Sequence, residues 1–182
     1  MLDDDKAKII DRYRTRYETM GAVPAALGEP KERQTYYYHF LFDTPAFSAC
    51  KSLLDVGCGF ADLSAYLTSQ GWQGEYSGID IVPEFVAEAQ RRFPGIDVRE
   101  WDLERTPLER RYDWAVAISV LTGRPAQGSY LDYLEAMMTR MWEHVDVGMS
   151  FNLYHPYVDF RTEVHGYPSY DDVVGLVRKL SR

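Results

Sequence analysis

The chain has 182 residues and a formal net charge of −8, long enough for one domain with a sizeable core. The acidic balance argues against a nucleic-acid backbone as the main partner, because such binding rests on clustered Lys and Arg, and it favours a small molecule or a protein. Cys50 and Cys58 show no paired spacing, which argues for a reducing, cytoplasmic setting; no apolar stretch approaches a membrane span, and the acidic start Met1-Leu2-Asp3-Asp4-Asp5 is not a signal peptide.

Asp3 to Met20 is expected as a helix. Three aspartates suit its positive N-terminal end, and Ile9, Ile10, Tyr13 and Tyr17 recur on one side. Gly21 stops it, and residues 21–30 carry the Gly and Pro of a loop. Lys31 to Phe42 reads as a second helix. Its Tyr36, Tyr37, Tyr38, Phe40 and Phe42 leave little polar face, which predicts a largely covered element. Residues 1–50 are thus expected as a helical cap, part of the same domain as an α/β core over 51–182.

Ser52 to Leu67 is the centre of that core. Leu53, Leu54 and Val56 make the apolar run of a strand covered on both faces. Gly57 and Gly59 permit a tight turn and close approach of a ligand to the main chain. Leu63, Tyr66 and Leu67 then repeat at helical spacing, and the new helix aims unpaired N–H groups at the turn. Asp55 lies inside the strand. A carboxylate there needs loop N–H groups or a bound cation, because unpaired burial costs several kcal/mol.

Glu75 to Asp80 reads as the next strand, and Pro83 opens a helix continuing through Glu84 to Phe93. Pro94-Gly95 breaks the chain before a short strand over Ile96 to Trp101. Trp114 to Val120 is an apolar central strand. Tyr130 to His144 is a helix with Leu131, Leu134, Met138, Met141 and Trp142 on one side, and Val147 to Tyr154 is a fifth strand. An aromatic loop over 155–168 follows, and Ser169 caps a last helix. This alternation predicts a Rossmann-like, doubly wound parallel sheet with helices on both faces. Ligands in such sheets bind at the carboxyl ends of the strands, where Asp55 to Gly59, Asp80, Asp102 and Ser119 all fall.

Asp80 stands at the spacing of roughly 20 residues from the glycine turn that a ribose-binding acid takes. Asp102 can accept a bond from an adenine amino group, with Ile81 and Leu103 sandwiching the ring. Alone, either acid also fits a strand-end turn; together with the glycine turn they point to a nucleoside. A nicotinamide site would place glycine at position 62, where Asp62 stands. Asp55 and Asp62 suit a ligand with a cationic end better than a diphosphate.

The ordered motifs Leu54-Asp55-Val56-Gly57-Cys58-Gly59, Gly78-Ile79-Asp80, Trp101-Asp102-Leu103 and Asp113-Trp114-Ala115-Val116-Ala117 resemble those of class I S-adenosylmethionine-dependent methyltransferases. The resemblance runs from about Ser52 to Tyr154. It implies that Asp55 and the Gly57–Cys58–Gly59 loop hold the methionine part of S-adenosylmethionine, with S-adenosylhomocysteine as product. It implies that Asp80 holds the ribose, that Ile81, Asp102 and Leu103 surround adenine, and that Ser119 and Val120 line the methionine side. Ala61 replaces a usual third glycine. Ser119-Val120-Leu121-Thr122 replaces the Asn-Pro-Pro-Tyr type of sequence used on nucleic-acid bases. The family sheet ends in an antiparallel hairpin, and this chain stops at Arg182; a shortened chain or a minimal sheet is expected, with an unpaired fifth strand.

Methyl transfer needs a base only for acceptors protonated at neutral pH. His39, in the cap, and His155, after the fifth strand, are the first candidates, ahead of Tyr37 and His165; each also fits a surface or packing role. The four histidines show no metal-ligand spacing. The sequence reading is therefore methyl transfer to a small-molecule acceptor. A non-catalytic binding domain of the same fold and a nicotinamide oxidoreductase stand as alternatives, and the acceptor and oligomeric state are not legible.

Overall fold

A computed structural model describes residues 1–28 and 30–180. Glu29 of the expected 21–30 loop and the last two residues of the expected core lie outside the described residues. The elements follow in the order α1 (Asp3–Met20), α2 (Lys31–Phe42), β1 (Ser52–Val56), α3 (Asp62–Ser69), β2 (Glu75–Asp80), α4 (Pro83–Arg92), β3 (Asp97–Glu100), β4 (Tyr112–Ala117), α5 (Tyr130–Glu143), β5 (Val145–Phe151) and α6 (Tyr170–Leu180). Short 3-10 turns at Pro24–Leu27 and Phe47–Ala49 precede α2 and β1.

The five strands form one sheet in the order β3-β2-β1-β4-β5, and all four pairings are parallel. The order reverses beside β1, which places a crevice at its carboxyl end. This is the Rossmann-like arrangement expected from the sequence. Among the described residues β5 pairs only with β4 and is an edge.

Helices cover both faces. Leu54, Val56, Ile79 and Ala115 pack with Leu134, Met138 and Met141 of α5 on one side. Leu53, Trp114 and Val116 pack with Leu63 and Leu67 of α3 and Leu41 of α2 on the other. Leu53, Leu54, Leu67 and Leu134 are 0% exposed, and each such side chain contributes about 1.5–3 kcal/mol. Strand β5 runs Val145–Phe151 rather than the expected Val147 to Tyr154, and two further details differ from the sequence expectation. Strand β4 ends at Ala117, so Ser119 belongs to the following turn, with φ 61°. Helix α2 is not largely covered: Leu41 and Gln34 are buried, while Tyr36 and Phe40 are 58% and 61% exposed. Consecutive residues on a helix point about 100° apart, so five aromatics in seven positions cannot share one buried side.

Candidate active site

The site grows from the turn that follows β1. Gly57 and Gly59 take φ 70° and 54°, conformations that are costly for residues with a Cβ. A methyl group at Gly57 would overlap Val120 Cγ2, and one at Gly59 would press on Leu27. The turn is held against β2 by Gly57 N–H and Cys58 N–H, which both donate to the Ile79 carbonyl, at 2.8 and 3.1 Å. Ala61 caps α3 in a left-handed conformation, φ 60°. It occupies the position of the missing third glycine.

Asp80 ties the turn to β2. Its Oδ2 accepts from Gly59 N–H and its Oδ1 from Val82 N–H, both at 2.9 Å. Burial pushes its carboxyl up to about 6, against the pull of these N–H groups. Asp55 is 3% exposed and accepts from the Tyr76 hydroxyl at 2.6 Å. Burial raises its carboxyl to about 7; the Tyr76 hydroxyl lowers it, while the charges of Asp80 and Asp62 raise it further. Two carboxylates thus sit in a setting where a positive group would be welcome.

At the other end, α1 reaches the sheet. Lys6 Nζ donates to Asp102 Oδ2 at 2.6 Å and pairs with Glu104 at 2.9 Å. Asp102 Oδ1 accepts from Glu104 N–H, and Arg105 pairs with Asp3. The loop after β4 is also tied to α1, because Ala126 N–H donates to Asp5.

These groups enclose one cavity of about 200 Å³. Asp55, Gly57, Cys58, Gly59, Asp80, Ile81, Asp102, Leu103 and Ser119 all line it. Lys6, Ile9 and Tyr13 of α1 and Gln34 and Tyr38 of α2 line it as well. The sequence reading had missed Gln34 and Lys6, whose placement depends on contacts between distant segments.

The structure does not bring His39 or His155 to this cavity. His39 lies on the exposed side of α2, with Tyr66 at 3.3 Å and Asp43 at 3.2 Å. His155 is exposed and accepts from Tyr157 N–H at 3.1 Å. His165 does line the cavity. Its segment runs antiparallel to the loop after β4, bridging Gly123, with Gly166 N–H donating to the Thr122 carbonyl at 3.0 Å. Its ring packs on Tyr154, and Nδ1 lies 2.7 Å from Thr162 Oγ1. Among the described residues no three His, Cys, Asp or Glu side chains converge as a metal site, and no helix is long and apolar enough to cross a membrane.

Residues 53–148 match the model of a methyltransferase domain family. A protein of Mycobacterium tuberculosis with a methyltransferase name is 30% identical over 110 residues, covering 59% of this chain and 66% of that protein. One of Invertebrate iridescent virus 6 is 27% identical over 71 residues, covering 39% of this chain and 27% of its own length. The chain therefore spans less than two thirds of either relative. Among solved structures, magnesium protoporphyrin IX methyltransferase of Synechocystis with bound SAM superposes with a TM-score of 0.66 at 21% identity, over 99% of this chain and 86% of that one. The amino pentose methyltransferase CalS10 of Micromonospora echinaspora, also with SAM, gives 0.52 at 20% identity, over 68% of this chain and 50% of that one. At these identities the structures show a shared fold.

Proposed function

This chain belongs to the methyltransferase domain family, and we propose that it moves a methyl group from S-adenosylmethionine to oxygen, nitrogen or a carboxylate of a small-molecule acceptor. The observation that carries this reading is the meeting of Asp55, the Gly57–Gly59 turn, Asp80 and Asp102 at one cavity. A turn with no room for a Cβ and buried carboxylates raised toward neutrality fit a ligand with a cationic end.

When bound, the cofactor supplies an electrophilic methyl on a good leaving group, so alignment and exclusion of water account for most of the acceleration. Asp80 keeps free lone pairs for the ribose hydroxyls while its bonds to Gly59 and Val82 fix its position. Ile81 and Leu103 flank the adenine, and Asp102 takes its amino group. Asp55 and Cys58 lie along the methionine side, with Ser119 opposite. The cap formed by residues 1–50 shields the reacting atoms. Where the acceptor must lose a proton, His165 is the better placed base, because His39 and His155 stand outside the cavity lining. Two buried free cysteines suit a reducing cytoplasm, and the net charge of −8 disfavours a nucleic-acid acceptor.

The oxidoreductase alternative meets Asp62. It opens α3 where the nicotinamide fingerprint has its third glycine, and pairs with Arg92 at 3.1 Å. Calorimetry with S-adenosylhomocysteine and with NAD separates the two. The methyltransferase reading expects saturable binding of the first and none of the second; tight NAD binding without the first overturns it. Turnover of labelled S-adenosylmethionine with a panel of hydroxyl, amine and carboxylate acceptors then separates an enzyme from a non-catalytic binding domain.

A further inference from the structure

The loop that follows β5 is fastened around His165 from several directions. Gly123 and His165 form an antiparallel bridge, Arg124 N–H donates to the Val164 carbonyl at 2.9 Å, and Gly166 N–H donates to the Thr122 carbonyl at 3.0 Å. A methyl group at Gly166 would run into the Tyr130 ring, whose hydroxyl donates to the Leu121 carbonyl at 2.7 Å. Tyr154 meets the His165 ring edge-on, with 4.8 Å between centroids, and packs on Tyr167 at 5.8 Å. Backbone and ring are both held, which fixes the imidazole where it lines the cavity.

Thr162 completes the arrangement. Its N–H donates to the Tyr167 hydroxyl at 3.0 Å, and its Oγ1 lies 2.7 Å from His165 Nδ1. A neutral imidazole carries one N–H, and the partner of one ring nitrogen decides which nitrogen bears it. Thr162 is exposed, so its own O–H can turn to water while an Oγ1 lone pair accepts Nδ1–H. Nε2 then carries the lone pair of a base. The threonine has no charge, so it holds this tautomer without favouring the imidazolium, as a carboxylate in its place would.

We propose that Thr162 is a positioning residue: it keeps His165 in the Nδ1–H form, so that Nε2 removes the proton of a hydroxyl acceptor. This rests on the methyltransferase reading and narrows its acceptor to an alcohol or a phenol. The acceptor proton passes to Nε2 as the oxygen lone pair takes the methyl. The sulfur keeps the electron pair of the S–C bond that breaks, and His165 returns its proton to water. A carboxylate or a neutral amine already presents the lone pair it attacks with and gains little from such a base.

Nitrogen NMR of the full chain with S-adenosylhomocysteine, above neutral pH, reads the tautomer directly. His165 carries its proton on Nδ1 in the unaltered protein and shifts toward Nε2–H in Thr162→Val, whose affinity for S-adenosylhomocysteine changes by less than about twofold and so doubles as proof of folding. Turnover of labelled S-adenosylmethionine with alcohols and phenols gives the second readout. The kcat falls roughly 3- to 10-fold in Thr162→Val, the scale of one neutral hydrogen bond, and returns in Thr162→Ser. It falls roughly 100-fold or more in His165→Gln. An Nε2–H tautomer in the unaltered protein, an undiminished kcat in Thr162→Val, or transfer to carboxylates and amines with none to hydroxyls overturns the proposal. If the unaltered protein does not bind S-adenosylhomocysteine, the methyltransferase reading itself fails, and the proposal with it.

Discussion

Asp55→Asn separates what this carboxylate costs the fold from what it gives the ligand. The side chain is 3% exposed, and its neighbours are Tyr76 and Asp80 on β2, Asp62 on α3, Tyr38 on α2 and Cys58 in the turn. None of these is a cation. Burial raises the group from its ordinary 3.8 to about 7. The folded chain therefore holds a proton that the unfolded chain has lost between those two values. Stability from this group is fully present below about pH 4 and is lost as pH rises through 7. At about 1.4 kcal/mol per pH unit, the span between 3.8 and about 7 is worth about 4 kcal/mol. Asparagine keeps an acceptor for the Tyr76 hydroxyl and carries no charge. Urea unfolding of both proteins from pH 4 to pH 8.5 should give equal stability at the acid end. The variant should gain progressively, reaching about 4 kcal/mol by pH 8. The same change should weaken S-adenosylhomocysteine binding by about 1.5–3 kcal/mol, because a charge-assisted contact to the ammonium is lost. A variant less stable than the parent at pH 8, or a difference that does not vary with pH, would refute the reasoning.

Ligand binding should itself respond to pH. A cationic end selects the ionised forms of Asp55 and Asp80, whose carboxyls lie near 7 and 6. Affinity for S-adenosylhomocysteine should therefore rise from pH 5.5 to 8 and level off above, with proton release visible as a buffer-dependent binding enthalpy. Asp80→Ala removes the acceptor for Gly59 N–H and Val82 N–H as well as for the ribose, and adenosine affinity should fall by about 1–3 kcal/mol; titration of adenosine itself checks this. Lys6→Met should loosen α1 by about 1–3 kcal/mol, the cost of losing a part-buried charged bond while Asp102 keeps Arg105 and Glu104 keeps the Met1 amino group, and hydrogen exchange should show faster opening over Asp3–Met20. Ala61→Gly should be almost neutral in denaturant melts. It relieves about 1 kcal/mol of left-handed strain and gives up a buried methyl of about 0.8 kcal/mol.

The wound sheet and its glycine turn were legible because their signals are local. Apolar runs, glycine at the turn and an acid at the end of each of two strands need only a short window. Helix α2 was read less well. Counting its aromatics ignored where successive side chains point, and Tyr36 and Phe40 face outward. Gln34 carries no local signal in the sequence, and its place in the cavity lining follows from how α2 packs over the sheet. The histidines show the same limit. His165 reaches the cavity because residues 164–166 fold back along the loop after β4, a long-range pairing that no local pattern announces. His155 follows the edge strand β5, and this pairing brings a later part of the same loop to the site instead. Lys6 and Asp102 likewise meet from 96 positions apart.

A crystal structure of the full chain with S-adenosylhomocysteine bound would show whether the carboxylates at the sheet's rim hold the nucleoside. The ribose hydroxyls should lie on Asp80, the adenine between Ile81 and Leu103, and the ammonium facing Asp55. Ligand density elsewhere on the surface, or a nucleoside turned so that its ribose leaves Asp80 untouched, would contradict it.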